Sequence, residues 1–505
     1  MWELKPGELS FIDIDQWVCN PHQILLSSRT YENLNASYHL MKQLVADDKS
    51  VYGINTGFGI LAHQRISAEN LKQLQKNLVL SHAVGVGAPL EKEIVKLIML
   101  LKINSLARGY SGVSEALIRT MVLMYNADII PIIPSQGSVG ASGDLAPLAY
   151  LAMSIMGLGD VQMNGVQLPA KIALEKAGIA IHEFEEKEGL SLLNGTQVST
   201  AIGLYALLQT QRNFSIACIS GALSLDAGVG LIDPFHPEIA ILKNSQGQLH
   251  FVNLFNQLIA DSQILQSKEL NRRVQDPYCL RCQPQVMGAI WDYLENCKTH
   301  LINEANAVSD NPLIFTNLKK ALSGGNFHAE SVAFSSDILA IVGSEIGAIS
   351  ERRIAFLIDK NMSGLPAFLV ENSGLNSGFM TAHVTAAALA SENKTYAHPA
   401  SVDSIPTSGN QEDHVSMAPF AGMKCLKVTA NVLHILAIEL LAACQGLDFR
   451  KPLKTSSLLQ GYQQQIRENI SFYSEDRFLG SDLKIMTKLI DQSQFYRPIY
   501  EQLFL

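Results

Sequence analysis

The chain has 505 residues, of which 47% are hydrophobic and 17% are charged, and its formal net charge at pH 7 is −9. The acidic balance, with no run of Lys or Arg longer than two residues, argues against nucleic acid and against an anionic membrane surface as partners. The longest uncharged apolar stretch, 145–159, is too short to span a membrane, and the first residues lack the apolar region of a signal peptide.

Helical periodicity dominates the chain. The spacing of apolar residues predicts long helices over 91–107, 197–226, 333–358 and 417–445. Long helices with small residues at close contacts are typical of a buried bundle or of an oligomer assembled through helices. Because β-like runs are short and no βαβ alternation is visible, we expect a mostly α fold.

A break near residue 200 predicts two regions. Residues 1–200 form a loop-rich N-terminal region, which carries the catalytic motif described below. Residues 201–505 form the long-helix bundle and the C-terminal helices, and we expect them to be the oligomerisation core.

Seven cysteines are dispersed at positions 19, 218, 279, 282, 297, 425 and 444. An odd, scattered set predicts reduced thiols and a cytoplasmic protein. Cys279 and Cys282 have C-x-x-C spacing, but no second pair and no strand–turn–helix pattern support a zinc or redox role. The spacing of His328 and Glu330 fits no standard helical ligand pair, so no metal site is predicted.

Ala141-Ser142-Gly143 can build an electrophile from the chain itself. If the amide nitrogen of Gly143 attacks the carbonyl of Ala141, a five-membered ring closes, and loss of two waters leaves a methylidene-imidazolone. Gly143 has no Cβ to block the approach, Ser142 carries the hydroxyl that is eliminated, and Ala141 leaves room for a substrate amine. A serine hydrolase with Ser142 as nucleophile is an alternative, but the last glycine of G-x-S-x-G is missing.

The motif is part of a longer string, Gly-Ser-Val-Gly-Ala-Ser-Gly-Asp-Leu-Ala-Pro-Leu-Ala over 137–149. This string resembles the active-site signature of the aromatic amino acid ammonia-lyase family, whose members act on histidine, phenylalanine or tyrosine. A second string, Gln-Asp-Pro-Tyr-Cys-Leu-Arg-Cys-Gln-Pro-Gln-Val-Met-Gly over 275–288, is similar to a segment of the members that act on histidine.

The resemblance implies a fumarase-like, mostly α fold with a long central helical bundle. It implies a methylidene-imidazolone formed autocatalytically from Ala141-Ser142-Gly143, with no external cofactor. It also implies a homotetramer whose active sites combine loops from several subunits. The expected reaction is the non-oxidative elimination of ammonia from L-histidine to give trans-urocanate, the first step of histidine degradation.

The resemblance further implies roles for residues that alone would be unremarkable. Tyr52, which opens a Gly-rich turn, is the preferred base, although Glu412 is an alternative acceptor of the β-proton. Tyr278 would stabilise the electrophile or relay a proton. The substrate-binding residues would be His82 and Glu412 for the imidazole ring, Asn194 and Arg281 for the carboxylate, Gln275 for orienting its neighbours, and Phe327 beside the electrophile.

Two further alternatives remain open at this stage. A tyrosine ammonia-lyase or an aminomutase would use the same electrophile, but Ser81-His82 and Gln411-Glu412 favour histidine. A non-catalytic helical scaffold, in which the electrophile never forms, would keep the fold without the reaction.

Overall fold

The computed structural model describes residues 1–46, 53–57, 59–267 and 273–505. The chain is mostly α-helical, as predicted. Each of the four long helices predicted from periodicity is confirmed, and their observed bounds are Lys92–Leu106, Gln197–Ala227, Glu330–Ile358 and Ala418–Asp448. A fifth long helix spans Gln283–Ala305.

The chain divides into two compact units. The first comprises 1–205, 298–337 and 399–423, and the second comprises 206–297, 338–398 and 424–505. The first unit therefore ends its longest segment close to the predicted break near residue 200, but it also contains two later segments that the predicted division assigned to the second region.

The shorter helices of the first unit are Phe11–Cys19, Ser28–Ala46, Leu71–His82, Glu115–Asn126, Leu145–Ile155, Ala170–Lys176 and Glu188–Leu193. Those of the second unit are Pro237–Lys243, Gln246–Ile259, Gln263–Gln266, Tyr278–Arg281, Lys360–Ser363, Met380–Tyr396, Ser457–Asn469, Leu479–Asp491 and Ser493–Phe504.

The strands of the described chain are short and lie in the first unit. Trp2–Glu3 pairs in parallel with Ile24–Leu25. Two antiparallel pairs are Val86–Pro89 with Pro134–Gln136 and Leu313–Phe315 with Lys320–Leu322. A three-stranded antiparallel sheet has Asp160–Met163 in the centre, between Ile130–Pro131 and Val166–Pro169. Pro134–Gln136 immediately precedes the loop that carries Ala141-Ser142-Gly143.

Helix Lys92–Leu106 forms part of the core of the first unit. Every residue from Leu97 to Leu106 is buried, so the polar side chains in this stretch must find partners inside the protein. One of them is Lys102, whose partners are described with the site below.

Two helices, Glu330–Ile358 and Ala418–Asp448, are long and apolar enough to cross a membrane by length and composition alone. In their most apolar windows, 67% and 72% of the residues are buried inside the protein. That degree of burial is typical of helices in a protein core, which are apolar because they pack against other parts of the protein and not against lipid. The expectation of no membrane partner stays a prediction.

Candidate active site

The loop that carries Ala141-Ser142-Gly143 is held by backbone contacts with a second loop of the first unit. Gly143 pairs with Gly195 in an isolated bridge, and the amide of Asp144 donates to the Gly195 carbonyl at 2.8 Å. Gly143 has φ +83°, and a Cβ placed on it would lie 2.5 Å from the Gly195 nitrogen. Glycine is therefore required here for packing as well as for the cyclisation predicted from sequence.

Asn194 connects the second loop to the serine. It follows the last residue of helix Glu188–Leu193 in an extended conformation, and its Nδ2 donates to the carbonyl of Ser142 at 2.5 Å. Its Oδ1 is buried and has no hydrogen-bond partner within the described chain. An unsatisfied buried acceptor of this kind is suited to an N–H donor of a ligand.

Glu412 also contacts Ser142. The Ser142 hydroxyl donates to Glu412 Oε1 at 3.1 Å, whereas the other carboxylate oxygen, Oε2, is buried without a partner among the described residues. The backbone of Glu412 is fixed because its carbonyl accepts from the Thr407 amide at 2.7 Å. A carboxylate in this position can accept a proton from the serine or from a substrate.

His82 is the last residue of helix Leu71–His82. Its Nδ1 lies 2.7 Å from the carbonyl of Leu78. Because a carbonyl only accepts, this contact assigns the proton to Nδ1, so that Nε2 is the acceptor of the ring. The imidazole can then receive a hydrogen bond from a substrate N–H.

These side chains surround one cavity of about 580 Å³, within the usual range for small-molecule sites. Its lining, drawn from the first unit, includes His82, Ser142, Asn194, Phe327 and Glu412, together with Leu78, Leu145, Leu190 and Asn311. The structure thus brings together five of the residues that the sequence predicted to act at one site. It adds an apolar wall that would cover an aromatic ring.

Asp144 follows the motif but does not face the cavity. It is fully buried and accepts from the amide of Ser199 at 2.8 Å, from the Ser199 hydroxyl at 2.9 Å and from the Ser138 hydroxyl at 3.2 Å. Burial raises the pKa of Asp144. With both oxygens occupied in this way, Asp144 fixes the loop to the first turn of helix Gln197–Ala227.

Lys102 was missed in the sequence, although a lysine within an apolar helix was a signal. Its Nζ donates to the Asn194 carbonyl at 2.7 Å and to Gln197 Oε1 at 3.1 Å, so it holds the segment that braces the motif. Burial lowers the pKa of Lys102 to about 7, an effect opposed by the charges of Asp310 and Asp144 and reinforced by that of Lys187.

We expect the buried Lys102 to give a pH-dependent stability. Between about pH 7 and the ordinary lysine pKa, the unfolded chain binds a proton that the folded chain does not. The free energy of unfolding should therefore rise with pH in this window, by at most about 1.4 kcal/mol per pH unit. Denaturant titrations from pH 7 to 9 should show a smaller rise for Lys102→Met than for the parent. Lys92→Met, at the partly exposed start of the same helix, is the control, and an equal rise in all three proteins would contradict the assignment.

Three predicted residues lie in the second unit. Tyr278 and Arg281 bound the short helix Tyr278–Arg281, and Gln275 precedes it. Tyr278 is 65% exposed, the Arg281 guanidinium lies 4.3 Å from its ring centroid, and Arg281 Nε donates to the Asp276 carbonyl at 3.2 Å. None of the three is among the residues that line the cavity of the first unit. Tyr52 lies outside the described residues.

Cys279 and Cys282 stand on either side of Arg281. Burial raises the pKa of both thiols. A redox-active C-x-x-C motif needs the opposite shift, because the thiolate is the reactive form. The redox interpretation of this spacing has no support in the structure.

The geometry fits the prosthetic group predicted from the sequence. Gly143 adopts a φ open to glycine and has no space for a Cβ, while Asn194 Nδ2 is a donor on the Ser142 carbonyl. Glu412 accepts from the hydroxyl that must leave as water.

Comparison with known proteins decides the family, since the sequence profile described as aromatic amino acid lyase matches residues 9–468. The chain belongs to this family. It is 51% identical to the histidine ammonia-lyase of Salmonella typhimurium over 497 residues, which are 98% of both chains. The corresponding enzyme of Salmonella heidelberg is also 51% identical, over 498 residues and 98% of both chains.

Solved structures of the family have the same fold. The histidine ammonia-lyase from Trypanosoma cruzi superposes with a TM-score of 0.91 at 37% identity, covering 99% of this chain and 96% of that one. The tyrosine aminomutase from Streptomyces globisporus gives a TM-score of 0.92 at 29% identity, covering 100% and 99%. The expected ammonia-lyase fold is therefore confirmed.

Proposed function

We propose that this carbon–nitrogen lyase eliminates ammonia from L-histidine to give trans-urocanate. The observation that carries the proposal is the convergence of His82, Asn194 and Glu412 around Ser142 in one cavity of the first unit. The 51% identity to histidine ammonia-lyases over nearly the whole chain supports the same substrate. His82 and Glu412, the polar pair proposed to bind the substrate ring, would distinguish histidine from phenylalanine.

Ala141, Ser142 and Gly143 would form the methylidene-imidazolone. The chemistry that this group supplies is that of an electrophile, which makes the substrate amine a better leaving group. Asn194 would hold it through the Ser142 carbonyl, and Gly195 through the backbone bridge to Gly143. No external cofactor is needed for this reaction.

The remaining residues bind and orient the substrate. His82 Nε2 would accept from the imidazole N–H, and Glu412 would accept from the ring or from the β-carbon as base. Asn194 Nδ2, the donor expected to hold the carboxylate, is already engaged by the Ser142 carbonyl. Its Oδ1, buried and without a partner in the described part of the chain, would instead accept from the substrate amine. Tyr52 remains the preferred base on the family resemblance, and Glu412 the alternative.

We propose a homotetramer in which the second unit of a neighbouring subunit supplies Gln275, Tyr278 and Arg281 to the site. Two observations support this arrangement. Tyr278 and Gln275 are exposed on the second unit, and the described residues that line the cavity of the first unit include no arginine for the carboxylate. The thiols of Cys218, Cys279, Cys282 and Cys444 are not in disulfides, which favours a cytoplasmic location.

Arg281→Lys tests the carboxylate clamp. The substitution keeps the charge but removes the planar fork, so we expect a loss of about 1.5–3 kcal/mol in transition-state stabilisation. The measurement is kcat/KM for histidine, with the exposed Arg29→Lys as the matched control. An unchanged kcat/KM in Arg281→Lys would show that the guanidinium does not contact the substrate.

The proposed activity is tested by ultraviolet absorbance of the purified protein with histidine, phenylalanine and tyrosine supplied separately. Urocanate should appear only with histidine. Product from tyrosine, or a β-amino acid by chromatography, would instead support the tyrosine ammonia-lyase or aminomutase alternative. If no product forms and the intact mass of the protein shows no loss of water, the non-catalytic scaffold would be supported.

A further inference from the structure

A second group of ligand-type side chains lies beside the cavity and has no part in the proposed reaction. His328 and Glu330 stand at the start of helix Glu330–Ile358, and His414 lies in the loop before helix Ala418–Asp448. One nitrogen from each imidazole and one carboxylate oxygen all lie within 4.8 Å of one another. The sequence showed only the first two residues as neighbours, and folding of the first unit adds the third.

The polar atoms of this cluster do not satisfy one another. His328 Nδ1 is 3.7 Å from Glu330 Oε2, which is too long for a hydrogen bond. His328 Nε2 and Glu330 Oε2 are buried, and neither has a hydrogen-bond partner within the described residues. Buried polar atoms are costly to leave in this state, and a cation is a ligand that an unsatisfied imidazole and an unsatisfied carboxylate can bind.

The two imidazoles are arranged to share an ion. The rings of His328 and His414 are nearly parallel, with an interplanar angle of 10° and centroids 5.8 Å apart. Ser404 Oγ lies 3.3 Å from His414 Nδ1. Such an outer partner on one ring nitrogen orients the other towards a metal.

We propose that His328, Glu330 and His414 bind a divalent transition-metal ion, with zinc as the best fit. Two imidazoles and one carboxylate are a ligand set of zinc sites that keep a fourth position open. Imidazole ligands favour zinc over magnesium and calcium, which prefer oxygen. Zinc bonds of about 2.0–2.1 Å place tetrahedral ligand atoms about 3.3 Å apart, so a modest rotation of the exposed His414 closes the site.

An ion here would restrain the active site. His328 follows Phe327 directly, and His414 is two residues from Glu412, while both histidines line a cavity of about 560 Å³ shared with Ser142. Binding would fix the loop that carries Glu412 and narrow the approach to Ser142. This effect on turnover rests on the proposed function, whereas the binding itself does not.

The test titrates the purified full-length chain, freed of metal with a chelator, with zinc in competition with a chromophoric chelator. We expect one ion per chain and a Kd about tenfold or more weaker in His414→Gln and in Glu330→Gln. His22→Gln, which removes an exposed histidine outside the cluster, should bind as the parent does. Circular dichroism of the metal-free proteins checks that each variant is folded.

Cobalt as a second probe separates this site from the C-x-x-C pair. A site of imidazole and carboxylate gives no thiolate-to-metal charge-transfer band, so such a band would overturn the assignment. Parent-like zinc affinity in both His414→Gln and Glu330→Gln, or the lack of one bound ion in the parent, would also overturn it. Histidine turnover that is absent with and without zinc, alongside one bound ion, would refute the proposed function and leave the metal site standing.

Discussion

Ser142→Ala is expected to lose histidine turnover by several orders of magnitude while remaining folded. Without the hydroxyl there is nothing to eliminate, so the methylidene cannot form and the amine loses its covalent activator. The same substitution removes the hydrogen bond to Glu412 Oε1, an effect of only about 1 kcal/mol. Chemistry, not stability, should therefore dominate the result.

The measurements are urocanate formation and intact mass. The parent should be lighter than its sequence by two waters, and Ser142→Ala, which has no hydroxyl to eliminate, should not show the loss of both. Ser135→Ala, on the strand just before the loop, is the matched control and should retain both the mass loss and the activity. Parent-like turnover in Ser142→Ala would eliminate the electrophile from the mechanism.

Replacing His82 with Leu and Glu412 with Gln together is expected to erode the preference for histidine over phenylalanine. Histidine can donate a ring N–H to these acceptors, whereas phenylalanine has no such donor and leaves both unpaired at about 1–3 kcal/mol each. Sites built on hydrogen bonds can reject an apolar analogue by about 10⁴-fold. We expect the double variant to lose most of that ratio, chiefly through its histidine activity.

The ratio of kcat/KM values for the two amino acids measures this effect. His22→Leu with Glu371→Gln removes the same two groups from exposed positions outside the cavity lining, and this control should keep the ratio of the parent. If the site variant discriminates as well as the control, these residues do not bind the ring.

Local sequence patterns were enough to predict the long helices and the Ala141-Ser142-Gly143 motif. The apolar pattern of helix Gln197–Ala227 agrees with its tertiary packing. The predicted range, 197–226, therefore differs from the observed helix by one residue at the C-terminal end. The convergence of His82, Asn194, Phe327 and Glu412 on Ser142 followed from the resemblance, not from spacing, since these positions are distant in sequence.

Other features depend on long-range contacts that one sequence does not reveal. Lys102 lies within an apolar stretch of its helix, and only its 2.7 Å hydrogen bond to the Asn194 carbonyl gives it a role. Three α-helices lie between His328 and His414 in the sequence, so helical spacing could not join them. The roles of Gln275, Tyr278 and Arg281 depend on a neighbouring chain and stay predictions.

The bridge between Gly143 and Gly195 implies that folding precedes formation of the prosthetic group. The two loops that it joins are far apart in sequence, since Asn194 follows Ser142 by 52 residues. A ring closure that relies on this support must wait until both segments have met. Newly made chains should thus carry their full mass, and the loss of water should mark, chain by chain, the completion of folding in the first unit.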